Sequence, residues 1–116
     1  MGSDYKKVSA KVYFLSPEEG GRKQKVDLRD PQGPRYRLLA DFGFGYTEDG
    51  YKMHCAAQVM LDKPGTIDLG AEQTVLIAFQ CPDQAVKPGA RFDLSEGPKI
   101  VARGIVLSVL ETTVPQ

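Results

Sequence analysis

Few residues in this chain have the types and spacing to do covalent chemistry. His54 is the only histidine, and it stands beside Cys55; Cys81 is the only other cysteine. A His–Cys pair suggests a thiol nucleophile whose proton passes to the imidazole. Neighbours along a strand project to opposite faces, so His54 is badly placed to activate Cys55. A zinc site asks for three or four ligands at set spacings, and one histidine with two separated cysteines is a poor set. Glu18–Glu19 and Glu48–Asp49 are adjacent carboxylates in turn-like stretches, where solvation is the ordinary state. No group has the setting that perturbs a catalytic pKa. There is no Gly-x-Ser-x-Gly elbow and no Gly-x-x-x-x-Gly-Lys-Ser/Thr phosphate loop. The expectation is a chain with no enzymatic activity, no metal, no cofactor and no GTP binding.

The chemistry that remains is recognition. In VYFLSPEEGGRKQKV, residues 12–26, an alternating apolar run gives way to Pro, two acids, two glycines and three bases. Gly20 and Gly21 let backbone amides come close to a phosphate or to another backbone, while Arg22, Lys23 and Lys25 supply donors and charge. A second set, Tyr36, Phe42, Phe44, Tyr46 and Tyr51 with Arg35 and Arg37, would suit stacking on single-stranded nucleic acid. Tyr36, Phe42 and Phe44 share one parity, however, and read as core. Tyr46 and Tyr51 flank a hairpin and read as exposed anchors for a partner.

These residues must be carried by strands. Val8, Ala10, Val12 and Phe14 alternate with Ser9, Lys11 and Tyr13; Tyr36, Leu38 and Ala40 alternate with Arg37, Leu39 and Asp41; and Val75, Ile77, Phe79 and Cys81 alternate with Thr74, Leu76, Ala78 and Gln80, where both parities are largely apolar. Residues 55–61 read as a buried strand and 72–81 as a central one. After the turn at Pro88–Gly89, Phe92 and Leu94 point inward. Residues 100–110 form the last strong strand, in which Gly104 predicts a bulge or bend. Asp49–Gly50 marks a hairpin turn. No segment has a helical period with caps at both ends. Six or seven strands separated by Gly/Pro turns imply an all-β fold, a single small closed antiparallel barrel of about six strands. Closure removes the exposed edges that an open sheet would leave.

The bulk numbers agree. At 116 residues the chain is one domain and long enough to bury a core without staples. Fifteen basic and fifteen acidic residues balance, which argues against a general electrostatic nucleic-acid binder. No apolar run approaches the ~20 residues of a membrane helix. With no signal peptide, Cys55 and Cys81 read as reduced, buried thiols in a cytoplasmic protein.

Residues 12–26 look like the start of the C-terminal β-barrel of elongation factor Tu, which opens with a strand ending in a Leu-Ser-(x)-Glu-Glu-Gly-Gly-Arg turn. Leu15, Ser16, Glu18, Glu19, Gly20, Gly21 and Arg22 match it in order. ARFDLSEGPKIVARGIVLSVL resembles the family's closing segment through Arg91, Phe92, Glu96, Gly97, Val101, Gly104 and Val106. The family's Tyr-Arg-Pro segment appears only reordered, as Gly33, Pro34, Arg35 and Tyr36. The resemblance implies a barrel over residues 8–110 between flexible ends at 1–7 and 111–116. It also implies a non-enzymatic binding module standing alone, its partner a translation-related protein factor or tRNA. The residues implicated are Glu19, Gly20, Gly21, Arg22 and Lys23 in the first turn, with Glu96 and Gly97 in the last. The family's glycine and arginine after that Glu-Gly pair are Pro98 and Lys99 here. Pro98 removes a backbone donor and Lys99 replaces a fork with a point charge, which tilts the expectation from tRNA to a protein partner. The alternative is a protein-interaction or immunity-like module that binds no RNA and has no link to translation.

Overall fold

The computed structural model describes residues 5–30, 32–33 and 35–113; Pro34, part of the family-like segment, lies outside the described residues. Eight strands follow one another: β1 (Tyr5–Phe14), β2 (Val26–Leu28), β3 (Tyr36–Asp41), β4 (Cys55–Met60), β5 (Gly65–Ile67), β6 (Ala71–Gln80), β7 (Arg91–Glu96) and β8 (Lys99–Thr113). Six of them close into an antiparallel barrel in the order β1-β6-β4-β3-β7-β8, and β2 pairs with β5 in a separate two-stranded sheet. The only helical pieces among the described residues are 3-10 turns at Pro17–Glu19 and Asp83–Ala85. The fold is thus all-β and closed, as the period-two runs require. Paired strand runs beyond 8–110 at both ends, from Tyr5 opposite Thr113.

Alternation decides what faces inward. Val8, Ala10, Val12 and Phe14 from β1, Val75, Ile77 and Phe79 from β6, and Phe92 and Leu94 from β7 are all buried, and no polar side chain is buried among the described residues. One addition was not legible in the alternation. β2 and β5 are three residues each, too short to show a period, yet they deliver Val26 and Ile67 to the same core. Phe42 follows the end of β3 and reaches the core from a loop, with its ring 5.0 Å from Phe79 and 5.5 Å from Phe92. Tyr36 and Phe42 are half-buried and pack against the core, and Phe44 is half-buried with its ring 6.1 Å from Phe42.

The structure corrects two expectations. Gly104 is not a bulge. It lies in register between Val12 and Phe92, and a Cβ there would fall 2.6 Å from Phe92 Cζ and 2.9 Å from Val12 Cγ2. Its lack of a side chain makes room for the Phe92 ring. The irregularities of β8 lie elsewhere, where Val101, Leu107 and Leu110 each lack an opposing residue in the register. The first of these explains how Val101 and Ala102, consecutive in sequence, are both buried, since a bulge resets the parity.

The second correction concerns the cysteines, which are not reduced thiols. Cys55 and Cys81 are joined by a disulfide with Cα atoms 5.1 Å apart. Ala56 pairs with Gln80 at the end of the β4–β6 ladder, so the next residue on each strand stands opposite the other, within bonding reach. Two cysteines carry no framework signal in the sequence; the register of two neighbouring strands brought them together.

Candidate partner-binding face

The first turn is built by its own residues. Ser16 begins a capping box: its Oγ accepts from the Glu19 amide at 3.3 Å, and its amide donates to Glu19 Oε1 at 3.0 Å. The Tyr13 hydroxyl donates to the same carboxylate oxygen. That hydrogen bond first, then the bonds from Ser16, hold the Glu19 carboxyl below its usual acidity range. Gly20 is left-handed at φ +92° with open space where a Cβ would stand. Gly21 differs: it is buried, and a Cβ would come 2.1 Å from the Leu15 carbonyl oxygen. The close backbone approach expected for Gly21 is therefore met within the chain rather than with a partner. Glu19, Gly20 and Lys23 are the exposed members of the first-turn set.

The structure brings the two sequence-derived turns together. Arg22 Nη1 pairs with Glu96 Oε2, which also accepts from the Tyr36 hydroxyl at 2.7 Å. The Arg22 guanidinium lies 5.3 Å from the centre of the Tyr36 ring, within cation–π range. Burial, the largest single influence on Glu96, raises its pKa. The hydrogen bonds from Tyr36 and Arg22, with the charges of Arg22 and Lys99, outweigh it and hold the carboxyl below 4.5. Burial first, then the Glu96 carboxylate, push the Tyr36 phenol well above its ordinary value. The same contacts engage the bases of the turn. Arg22 is held by Glu96, and Lys25 Nζ sits 2.9 Å from Asp68. Lys23 alone of the three has no ion-pair partner among the described residues.

The depressed Glu96 pKa sets an acid dependence. The folded carboxyl binds its proton less tightly than the unfolded one, so this stabilisation is present above the unfolded value of 4.5 and is lost as pH falls through the folded value. Glu96→Gln should lower stability at neutral pH and narrow the gap between neutral and acid stability. Urea midpoints at about pH 7 and about pH 3 check this; an unchanged gap refutes it.

Beside this knot, Gly97 (φ +58°) and Pro98 turn the chain from β7 into β8. They form one side of a groove of about 420 Å³ along the outer wall of β3 and β7, with Leu39 and Ile100 at its apolar surface. Tyr51 and His54 form the other side. Both come from a hairpin whose arms meet at Tyr46 and Lys52. Asp41 and Asp93 are direct cross-strand neighbours, an arrangement that repels. Lys52 Nζ, 3.0 Å from Asp41 Oδ2, relieves it and ties the hairpin to the wall. The Asp41 carboxylate is the main cause of the raised Lys52 pKa. Tyr46 and Tyr51 remain 68% and 72% exposed.

Sequence reasoning named Gly97 and Tyr51 separately and missed the groove that both line; Glu96 and Tyr46, also named, do not line it. The available signal was Leu39 and Ile100, apolar residues at outward-facing positions. His54 is exposed in the groove, and Cys55 is bonded. No three potential metal ligands converge among the described residues, and no helix among them is long and apolar enough to cross a membrane. Comparison with protein-family models gives no match to this chain, and comparison with curated proteins gives none either.

Proposed function

We propose that this chain is a non-enzymatic binding module, similar in kind to the elongation factor Tu C-terminal barrel, and that its partner is a protein rather than tRNA. The observation that carries this reading is the groove between Gly97–Pro98 and Tyr51. It sets apolar Leu39 and Ile100 beside an exposed tyrosine on a tied-down hairpin. An exposed aromatic on an ordered hairpin suits protein recognition, because little backbone freedom remains to be lost on binding. The engaged bases argue in the same direction. Three free cations in the first turn would give a salt slope of about −2 to −3 on RNA. With Arg22 and Lys25 already paired, Lys23 alone supports about −1.

Titration of bulk tRNA at two salt concentrations tests this. The expected result is weak binding with a shallow slope; tight binding with a slope of about −3 overturns the protein reading. For a protein partner recovered with the wild-type chain, Tyr51→Ala is expected to weaken binding by about 2 kcal/mol or more, the scale of a central aromatic anchor. An unchanged affinity would move the site away from the groove.

A further inference from the structure

We propose that the Cys55–Cys81 disulfide is a redox-operated latch that holds the tyrosine hairpin in its binding geometry. Three features place it there. Cys55 is the first residue of β4 and directly follows His54, which lines the groove. Cys81 directly follows β6 and opens the loop that holds the Asp83–Ala85 turn. The bond therefore joins the roots of two loops at one mouth of the barrel.

The barrel does not depend on this bond for its closure. Below the disulfide, β4 and β6 are paired over five positions, from Ala56–Gln80 to Met60–Leu76. The hairpin is held by single contacts rather than by a long ladder. Its first root is held where Asp41 Oδ1 accepts from the amides of Gly43 and Phe44, and its far arm by Lys52 on Asp41. Its second root has the disulfide, the Ala40–Cys55 pair that ends the β3–β4 ladder, and the Met53 amide bond to Gly45 O. Breaking the disulfide removes the one covalent support and leaves Cys55 at the open end of that ladder, where pairs fray first, while the β4–β6 ladder below stays paired.

The two residues differ in burial. Cys55 is half-buried and Cys81 is 7% exposed, which makes Cys55 the side on which a small dithiol is expected to attack. Its thiolate attacks there, the S–S bond breaks, and Cys81 leaves as a thiolate that takes up a proton. The second thiol of the dithiol then attacks the mixed disulfide, releases Cys55 as a thiol and closes a cyclic disulfide. Two electrons and two protons pass from the dithiol to the protein. The reduced hairpin samples more conformations, and the Tyr51 wall of the groove loses its fixed position. This consequence for binding rests on the proposed function; the motion itself does not.

Amide hydrogen exchange of the intact chain, with and without dithiothreitol, tests the latch. The amides of Thr47 and Met53 report the hairpin, because they donate to Tyr51 O at 2.7 Å and Gly45 O at 3.0 Å. Those of Ile77 and Phe79 report the barrel. Reduction should expose two alkylatable thiols and speed hairpin exchange by about tenfold or more, with barrel exchange changed far less. A Cys55→Ser/Cys81→Ser variant should behave as the reduced protein does. The proposal is overturned if hairpin exchange is unchanged once both thiols alkylate, if barrel and hairpin open together, or if both cysteines alkylate without reductant. A chain that binds no protein partner in either state, but whose hairpin still responds to dithiothreitol, removes the binding reading and leaves the latch standing.

Discussion

Phe79→Ala is expected to destabilise the protein by roughly 3–5 kcal/mol. Phe79 is fully buried at the middle of an aromatic cluster, its ring 5.0 Å from Phe42 and 5.2 Å from Phe92 in edge-on contacts. Truncation removes the transfer free energy of the ring and leaves a cavity. The walls of that cavity are strands of a closed barrel, which cannot collapse onto it without breaking register. A total stability of ~5–15 kcal/mol makes this a large fraction, and urea unfolding measures it directly. Leu76, three residues back on the same strand but at an outward position, serves as the internal control. Leu76→Ala should cost under about 1 kcal/mol. Equal effects at the two sites would mean that the inward face of β6 had been misassigned.

The second large effect belongs to Gly21. Gly21→Ala places a methyl carbon on the Leu15 carbonyl oxygen, a backbone atom that no rotamer change can move. The turn must open, and with it goes the Gly21 amide bond to Ser16 O at 2.9 Å. Overpacking together with a lost hydrogen bond comes to roughly 2–4 kcal/mol. Arg22 is the next residue, so its pairing with Glu96 should be disturbed as well. Gly20→Ala separates packing from backbone conformation. Gly20 has open space but a positive φ, which costs a non-glycine residue about 1–2 kcal/mol. A Gly21→Ala variant as stable as wild type would show that the turn is loose enough to move aside.

Glu19 and Arg22 illustrate a general difficulty in assigning binding roles to charged turns. Both have the chemistry to meet a partner. In the fold, Glu19 closes a capping box and takes the Tyr13 hydroxyl, while Arg22 closes a bridge to the end of β7. A residue type records what a side chain can bind, whereas the fold decides whether that capacity is already used. The exposed hairpin is the converse case. Tyr46 and Tyr51 meet no other ring among the described residues, so their contact area remains for a partner.

The sequence by itself determined the all-β class and the inward face of its long strands, because alternation is local: Val8 to Phe14 and Val75 to Cys81 each state their own parity. It also marked the hairpin at Asp49–Gly50 and the turn at Gly97, where glycine takes the positive φ. Tertiary structure decided everything that depends on which strands become neighbours. The Arg22–Glu96 pair spans 74 residues, and no local pattern joins its ends. The disulfide follows from the β4–β6 register, and the role of Gly104 from the Phe92 ring that β7 lays over it. β2 and β5 exist because each supplies the other's hydrogen bonds and the core takes Val26 and Ile67. The groove is decided at the same level. Its apolar surface belongs to β3 and β8, strands that never pair with each other, and its far wall to a hairpin folded back along the outside of the barrel.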